Sequence, residues 1–329
     1  MKSSLTIGAG ALALLLGAHA AANDYTPLLR AHKYADVERI AAARLAQDPA
    51  NAEALIARSE AILASGPAAR IEEAVRLGEQ CVAAHPQVSD CRLAHGNALG
   101  AKAMSNGIMS ALGYAGTIRD EFKKAVELDP HNMEARFSLL QYYMQAPGIV
   151  GGGSGKAQAL AAQTAAINPE GARLMLAQLD AADDDKLAKA EATVLAMAAS
   201  SNEAIADGQR DLMLSLAAKH LSAKRYANSE RLCREAIKRH PDSDGALYSL
   251  ARVQQEQGKH REAVATLEQV LAMNPRAGAW YRIGQSQQVL GDKEKAMTAY
   301  EKALAYKAGM SSKMKSDAEN QLKALRAKT

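Results

Sequence analysis

The stretch Ala279–Leu304, AWYRIGQSQQVLGDKEKAMTAYEKAL, decides the fold class of this chain. It contains two helix-forming segments separated by Gly291, a residue typical of tight turns. Gly284 and Ala296 are small, and we expect them where the two helices cross closely, because a larger side chain would push the helices apart. The stretch therefore predicts a pair of helices that pack through small residues.

The same plan recurs along the chain, and prolines mark its period. Six of the nine prolines follow an amphipathic helical stretch, and a proline just past a helix end cannot continue the helical hydrogen bonds. The intervals between them are 37, 44, 39, 72 and 34 residues, and the longest is close to two units. These prolines are Pro49, Pro86, Pro130, Pro169, Pro241 and Pro275.

This pattern resembles the tetratricopeptide repeat, in which a bulky residue, Leu-Gly, a turn Gly and Ala-x3-aromatic-x2-Ala recur in each unit. The resemblance implies an all-α fold, a right-handed superhelical solenoid of antiparallel helix pairs with a concave groove. The residues that carry it are Trp280, Ile283, Gly284, Gly291, Ala296, Tyr300 and Ala303 in the last unit, Leu247, Leu250, Ala251, Gly258, Ala263 and Pro275 in the unit before, and Leu216, Ala217, Tyr226, Ala236 and Pro241 in the one before that.

The chain divides into four segments on this interpretation. Two insertions interrupt the earlier repeats, SNGIMSALGYAGT at 105–117 and the Gly-rich tract at 148–155. We expect the segments near 101–116 and 148–155 to be the most mobile, because the repeats diverge there. The segments are a signal peptide at 1–22, divergent repeats at 23–209, regular repeats at 210–308 and a capping helix at 309–329.

The first 22 residues have the pattern of an export signal. Lys2 precedes an uncharged apolar run from Leu5 to Ala18, and small residues follow at the spacing that a signal peptidase reads. The run is shorter than the roughly 20 residues that cross a membrane. We therefore expect cleavage after Ala20 or Ala22 and an exported, periplasmic protein without stable membrane insertion, with an uncleaved anchor as the alternative.

The family resemblance also implies which residues face a partner. Groove contacts in this family come from the first helix of each unit, and aromatic, Gln and Arg side chains there can bind a peptide without demanding one sequence. The alternative is that these are ordinary exposed helix residues. The predicted groove residues are Tyr248, Arg252, Gln255, Tyr281, Gln285 and Gln288 in the regular repeats, and Phe137 and Gln141 upstream.

Cys81 and Cys91 flank Pro86 at equal distances, so an antiparallel helix pair would bring them face to face. In an oxidising compartment this predicts a disulfide. A zinc site with His85 and His95 is the alternative, but the same geometry carries the two histidines apart. We expect no metal site. The third cysteine, Cys233, is expected to be a buried repeat position.

No enzyme motif is evident. The tract Gly151–Lys156 lacks the first glycine and the hydroxyl residue of a phosphate-binding loop, and no strand precedes it. The acidic run Asp183–Asp185 is interpreted as a helix cap. We therefore expect neither catalysis nor a cofactor.

Charge is unevenly distributed along the sequence. Residues 21–209 hold 17 Lys and Arg against 23 Asp and Glu, a net charge of −6, whereas residues 210–329 hold 22 against 13, a net charge of +9.

The main functional hypothesis is a scaffold or adaptor that binds a peptide or helix of other proteins in envelope assembly, secretion or protein quality control. The alternative is that the basic C-terminal region binds an anionic cell-wall polymer. Nucleic acid is not expected as a partner of an exported chain.

Overall fold

A computed structural model describes residues 25–65, 68–105, 107–306 and 309–327. Within these ranges every regular element is a helix, which confirms the all-α prediction. The signal peptide predicted at 1–22 lies outside the described residues. The α-helices are α1 (Thr26–Arg30), α2 (Tyr34–Gln47), α3 (Ala52–Ser65), α4 (Ile71–Ala84), α5 (Ser89–Ser105), α6 (Ile108–Leu128), α7 (Met133–Gln145), α8 (Ser154–Ala165), α9 (Pro169–Ala181), α10 (Leu187–Ala196), α11 (Glu203–Ser222), α12 (Tyr226–Arg239), α13 (Asp244–Glu256), α14 (His260–Met273), α15 (Ala277–Val289), α16 (Lys293–Ala305) and α17 (Ser312–Ala327).

The helices form a continuous helical repeat array. Each odd-numbered helix from α1 to α15 pairs with the even-numbered helix that follows it, which gives eight pairs, and α17 packs on the last pair. Successive odd-numbered helices from α3 to α13 also contact one another. The odd-numbered helices therefore form one layer of the array, and this layer carries the groove described below.

Side-chain caps fix where several odd-numbered helices begin. The side-chain oxygens of Asn132, Asn168, Asn202 and Ser243 accept hydrogen bonds from backbone N–H groups in the first turns of α7, α9, α11 and α13. Such caps satisfy N–H groups that the helix itself leaves unpaired. The caps thereby fix the first residue of each of these helices.

Small residues let the helices of a pair approach closely, as the sequence predicts. A Cβ atom on Gly284 would lie only 2.7 Å from Cε1 of Tyr300, whose ring is almost fully buried. The same arrangement occurs in the third pair, where a Cβ on Gly96 would lie 2.5 Å from Cε1 of Phe122. The turn glycines Gly258 and Gly291 have φ angles of 74° and 81°, which side-chain-bearing residues rarely adopt.

Two segment boundaries differ from the sequence analysis. The insertion at 105–117 does not interrupt the third pair, because α6 already begins at Ile108 and runs unbroken to Leu128. The boundary at Arg210 falls inside α11, so the structural unit begins seven residues earlier, at Glu203. Periodicity failed at both places because these helices are longer than those of a regular unit.

None of the helices in the described ranges combines the length and the apolar character needed to cross a membrane.

Candidate peptide-binding groove

A concavity of the described residues lies between the third and sixth pairs, mainly on the odd-numbered layer. It is an open cavity of about 1290 Å³, lined by α5, α6, α7, α9 and α11 and by the Gly-rich turn after α7. Helix α11 contacts α7 as well as its neighbour α9, so the array curves tightly here. A Cβ on Gly208 of α11 would lie 3.8 Å from the ring of Phe137 on α7 and 2.9 Å from Leu174 on α9, which shows how close these helices come.

Apolar side chains form the floor and one edge of the groove. Phe122 and Tyr142 are buried, whereas Phe137 is only partly buried and presents part of its ring to the cavity. At the edge, Met104 is 79% exposed and Leu112 is 40% exposed. Large apolar side chains left in contact with water inside a concavity are typical of a surface that binds another molecule.

The Gly-rich turn folds back to form a wall of the groove. Its residues Gly148–Val150 make a single 3-10 turn, and the Tyr142 hydroxyl donates to the Val150 carbonyl oxygen at 2.6 Å. The Lys156 ammonium donates to the Gly151 carbonyl oxygen at 2.9 Å. A Cβ on Gly152 would lie 1.8 Å from the Ala146 carbonyl oxygen, so the turn needs glycine there. The tract therefore places Pro147 and Val150 along the cavity.

Carboxylates collect at the end of the groove where the odd-numbered helices begin. Glu134, at the second position of α7, is an exposed residue that lines the groove, and partial desolvation there together with Asp90 and Asp207 raises the pKa of its carboxyl. Glu60 on α3 is half-buried, and burial, Glu134 and Asp90 together raise its pKa to about 7. Glu134 thus brings negative charge to the groove, and the charges of Asp90 and Glu60 act on it from nearby or are acted on by it.

The first helix of the chain meets this acidic end. An Arg30 nitrogen lies 3.2 Å from a carboxylate oxygen of Glu203, the first residue of α11. The His32 ring nitrogen Nε2 lies 3.2 Å from Oδ1 of Asp244, the first residue of α13. The array therefore curves far enough for its first pair to touch the sixth and seventh pairs.

The structure separates the predicted groove residues into two places. Phe137 and Gln141 line the cavity, and Gln141 is exposed. Tyr281, Gln285 and Gln288 lie instead at the C-terminal end of the array.

At that end the capping helix α17 occupies the predicted groove positions. Tyr281 is 7% exposed, and its hydroxyl donates to Asp317 on α17 at 2.6 Å. Gln285 donates to the Tyr281 hydroxyl, and Gln288 donates to Gln321 on α17. Burial and Asp317 raise the pKa of Tyr281 to about 12. The expectation that Tyr281, Gln285 and Gln288 stand open to a partner is thus corrected: they hold the cap in place.

Tyr248 and Gln255 are likewise engaged by the neighbouring repeat. The guanidinium carbon of Arg276 lies 4.3 Å from the centroid of the Tyr248 ring, and Arg282 donates to the Tyr248 hydroxyl at 2.9 Å. Gln255 donates to Ser286 at 2.7 Å. Arg252, between them on α13, is half-buried. Contacts between adjacent repeats account for these side chains, because they join α13 to α15.

A disulfide joins Cys81 on α4 to Cys91 on α5, with Cα atoms 5.3 Å apart. His85 contacts the Ala50 carbonyl oxygen, whereas His95 lies 3.2 Å from Glu121, so the two histidines do not converge. Over the described ranges, no group of three His, Cys, Asp or Glu side chains is placed to hold a metal ion. The other cysteine, Cys233, is buried.

The acidic run Asp183–Asp185 lies at a helix start. The Asp183 side chain accepts from the Asp185 backbone N–H at 3.1 Å, and Asp184 and Asp185 belong to a 3-10 turn that leads into α10. This is the capping geometry that the sequence suggests.

Family models described as tetratricopeptide repeat match residues 220–283 and 277–309. The chain is thus an all-α helical repeat array, and residues 220–309 are similar to the tetratricopeptide repeat. No curated protein matches the sequence.

One solved structure shares the fold along most of the chain, and two more are similar with lower scores. The structure of yeast Tom70 is similar with a TM-score of 0.60 at 13% identity, over 91% of this chain and 60% of that chain. The APC/C hetero-tetramer Cut9-Hcn1 matches with a TM-score of 0.46 at 16% identity, over 92% of this chain and 54% of that chain. A tetratricopeptide repeat protein from Parabacteroides merdae matches with a TM-score of 0.42 at 15% identity, over 92% and 96% of the two chains. The chain therefore spans little more than half the length of the first two, and at these identities the likeness shows the fold alone.

Proposed function

We propose that this chain is an exported scaffold that holds a peptide or a helix of a partner protein in the groove between α5 and α11. The observation that carries the proposal is the groove itself, a cavity of about 1290 Å³ with an exposed apolar edge and a row of polar side chains on the odd-numbered helices. Arrays of this kind bury their own apolar faces by stacking and leave the concave layer for ligands.

The site differs from the one that the sequence analysis favours. Because α17 covers Tyr281 and its neighbours, the C-terminal repeats supply a closed end, whereas Phe137 and Gln141 remain accessible in the centre of the array. A partner helix would lay its apolar face on Phe137 and Met104, and Gln141 offers hydrogen bonds to a peptide backbone.

The test is a photo-cross-linking amino acid placed at Gln141 in the native cell, with the same group at Gln80 on the outer helix α4 as the control. A partner captured at Gln141 but not at Gln80 is then purified, and its affinity is measured against Phe137→Ala. We expect at least a tenfold loss, since truncating an aromatic side chain at the centre of an interface typically costs about 2 kcal/mol or more, and about 1.4 kcal/mol is tenfold. Tyr306→Ala, a matched truncation of an exposed aromatic outside the groove, should leave the affinity unchanged. Equal capture at both positions, or full affinity in Phe137→Ala, would refute the proposal.

Export to the periplasm and a role in envelope assembly, secretion or quality control belong to the same proposal. The support is the N-terminal sequence pattern, together with a disulfide that suits an oxidising compartment. Cell fractionation tests it: the mature chain should begin after Ala20 or Ala22 and should be released with the periplasmic contents. Detection of the chain with its first 20 residues intact in the cytoplasm would contradict export.

An anionic polymer is the second candidate ligand, favoured by the net charge of +9 on residues 210–329. Salt separates the two candidates, since screening weakens exposed charge contacts much more than apolar ones. Binding of a cell-wall glycan that vanishes by several hundred millimolar salt and is insensitive to Phe137→Ala would favour the polymer.

A further inference from the structure

The cations that line the groove are already neutralised by neighbours, whereas one carboxylate is not. Arg210 pairs with Asp207 at 2.5 Å and with Asp211 at 3.0 Å, and Lys219 pairs with Asp184 at 2.9 Å. Glu134 forms no ion pair within the described part of the chain. The charged side chains that line the cavity are Glu134, Glu203, Asp207, Arg210, Asp211 and Lys219. The groove therefore presents surplus negative charge to an incoming molecule.

Two further carboxylates beside Glu134 enlarge this surplus. Glu60 makes neither a hydrogen bond nor an ion pair within the described residues, and Asp90 accepts only from the neutral Asn132 amide, at 2.7 Å. Glu134 and Asp90 both raise the pKa of the Glu60 carboxyl, and Asp90 also raises the pKa of Glu134. A cation placed among them would remove both the mutual repulsion and the poor hydration.

Two basic side chains from the start of the array contact carboxylates near the rim of the groove. Arg30 and His32, from the opposite end of the array, contact Glu203 and Asp244 at the first residues of α11 and α13. These two carboxylates are thus partnered, whereas Glu134, which lines the cavity, has no ion-pair partner among the described residues.

The apolar floor lies directly beside the unpartnered acids. Phe137 follows Glu134 by three residues on α7, so the two side chains lie on the same helical face, and Met104 and Leu112 line the same cavity. A ligand that satisfies both surfaces needs an apolar face next to positive charges.

We propose that the groove binds a cationic, amphipathic segment of a partner protein, with Lys or Arg side chains between Glu134 and Glu60 and apolar side chains on Phe137. This rests on the proposed function and specifies the chemistry of the partner segment. It excludes an acidic peptide as the ligand of this groove, because such a peptide would meet unpartnered carboxylates at the acidic end.

The test uses the mature protein and three fluorescent 18-residue peptides with leucine at the same helical positions. The remaining positions are mainly lysine, glutamine or glutamate. Fluorescence anisotropy at pH 8 and 150 mM NaCl gives each dissociation constant. We expect the lysine peptide to bind at least tenfold more tightly than the glutamate peptide, with the glutamine peptide between them.

Variants then assign the effect to the groove. Glu134→Gln should weaken binding of the lysine peptide three- to tenfold and leave the glutamine peptide unchanged, whereas Phe137→Ala should weaken both. Glu262→Gln, at an exposed position of α14, is the matched control and should change neither. Circular dichroism and the unfolding midpoint confirm that each variant is folded.

The outcomes separate this inference from the proposed function. Equal binding of the lysine and glutamine peptides, with both weakened by Phe137→Ala, would overturn the cationic partner and leave the peptide groove standing. Failure of all three peptides to bind, or indifference of all of them to Phe137→Ala, would overturn both. Loss of lysine-peptide affinity in Glu262→Gln equal to that in Glu134→Gln would also overturn the inference, since it would indicate diffuse charge attraction.

Discussion

Replacing Glu60 by glutamine is expected to stabilise the folded chain at pH 8 and to change its stability little at pH 4. Glu60 lies half-buried on α3, without an ion pair in the described residues, and burial together with Glu134 and Asp90 raises its pKa from the usual 4.5 to about 7. Between these two pH values the folded state binds the proton more tightly than the unfolded state does. The free energy of unfolding therefore falls as pH rises from 4.5 to 7, and the loss is complete above pH 7.

The magnitude follows from the difference between the two pKa values. Each pKa unit corresponds to about 1.4 kcal/mol, so the interval from 4.5 to about 7 sets an upper limit of about 3 kcal/mol. Glu60 is partly open to solvent, which screens its charge, and we expect about 2 kcal/mol in practice. Glutamine keeps the shape of the side chain but cannot ionise, so Glu60→Gln should gain this amount relative to the parent chain above pH 7.

Urea unfolding monitored by circular dichroism from pH 4 to pH 8 measures the effect. The difference between Glu60→Gln and the parent should grow from pH 4.5 to pH 7 and then stay constant. Glu79→Gln, on the exposed face of α4, is the matched control and should show no such rise. A constant difference across the whole pH range, or a destabilised Glu60→Gln at pH 8, would refute the assigned environment of Glu60.

Three further changes test the packing of the array by urea unfolding. Gly284→Ala places a Cβ atom 2.7 Å from Tyr300 and should cost about 1–3 kcal/mol, whereas Gly100→Ala, with no atom within 4 Å, should cost nothing or stabilise; equal effects would contradict the close crossing. Glu191→Gln weakens a buried carboxylate contact to His220 at 2.6 Å and should cost about 2–4 kcal/mol, and a neutral outcome would contradict it. Reduction of the disulfide, which spans 10 residues, should cost about 3 kcal/mol, and unchanged unfolding under reductant would show that it contributes nothing.

The fold class was accessible from the sequence because the regular repeats obey local rules. Glycines at the turns, small residues at the helix crossing and prolines after the helices all follow from short-range geometry, and Gly284 packs against Tyr300 as expected. Periodicity failed where a helix is longer than the standard unit. Gly113 and Gly116 suggested a loop at the predicted insertion. Helix α6 nevertheless begins at Ile108 and includes both glycines, neither of which has a positive φ angle.

The location of the groove was only partly predictable. Glu134, Phe137 and Gln141 are the second, fifth and ninth residues of α7, and they lie on one face of that helix. Asp90 is likewise the second residue of α5, and Glu60 is the ninth residue of α3. The repeat pattern could therefore have placed these three acidic residues on the groove face. It could not predict that they lie close together, because this depends on how tightly the array curves between α7 and α11.

The sequence also could not predict that α17 covers the C-terminal end of the groove layer, because this too depends on tertiary contacts. Tyr281 and Tyr248 stand at equivalent positions of successive repeats, and only tertiary structure shows that α17 covers the first and arginines stack on the second. An aromatic residue at a groove position indicates a contact. Whether the contact is with a partner or with the chain's own next helix is decided by where the array ends.

Glu60 and Glu134 have no ion-pair partner among the described residues, and such carboxylates impose a cost that a purely structural array has no reason to retain. Glu60→Gln should raise the stability of the folded chain at pH 8 and should also weaken binding of the lysine peptide. A gain in stability combined with a loss of affinity is typical of a binding residue and is not expected of a residue without a function. Binding should also release protons near pH 7, because a bound cation lowers the pKa of Glu60 from about 7. Calorimetry in two buffers of different ionisation enthalpy measures that release for the lysine peptide at pH 7, with Glu60→Gln as the control. If the parent and Glu60→Gln release equal numbers of protons, the ammonium group does not bind beside Glu60.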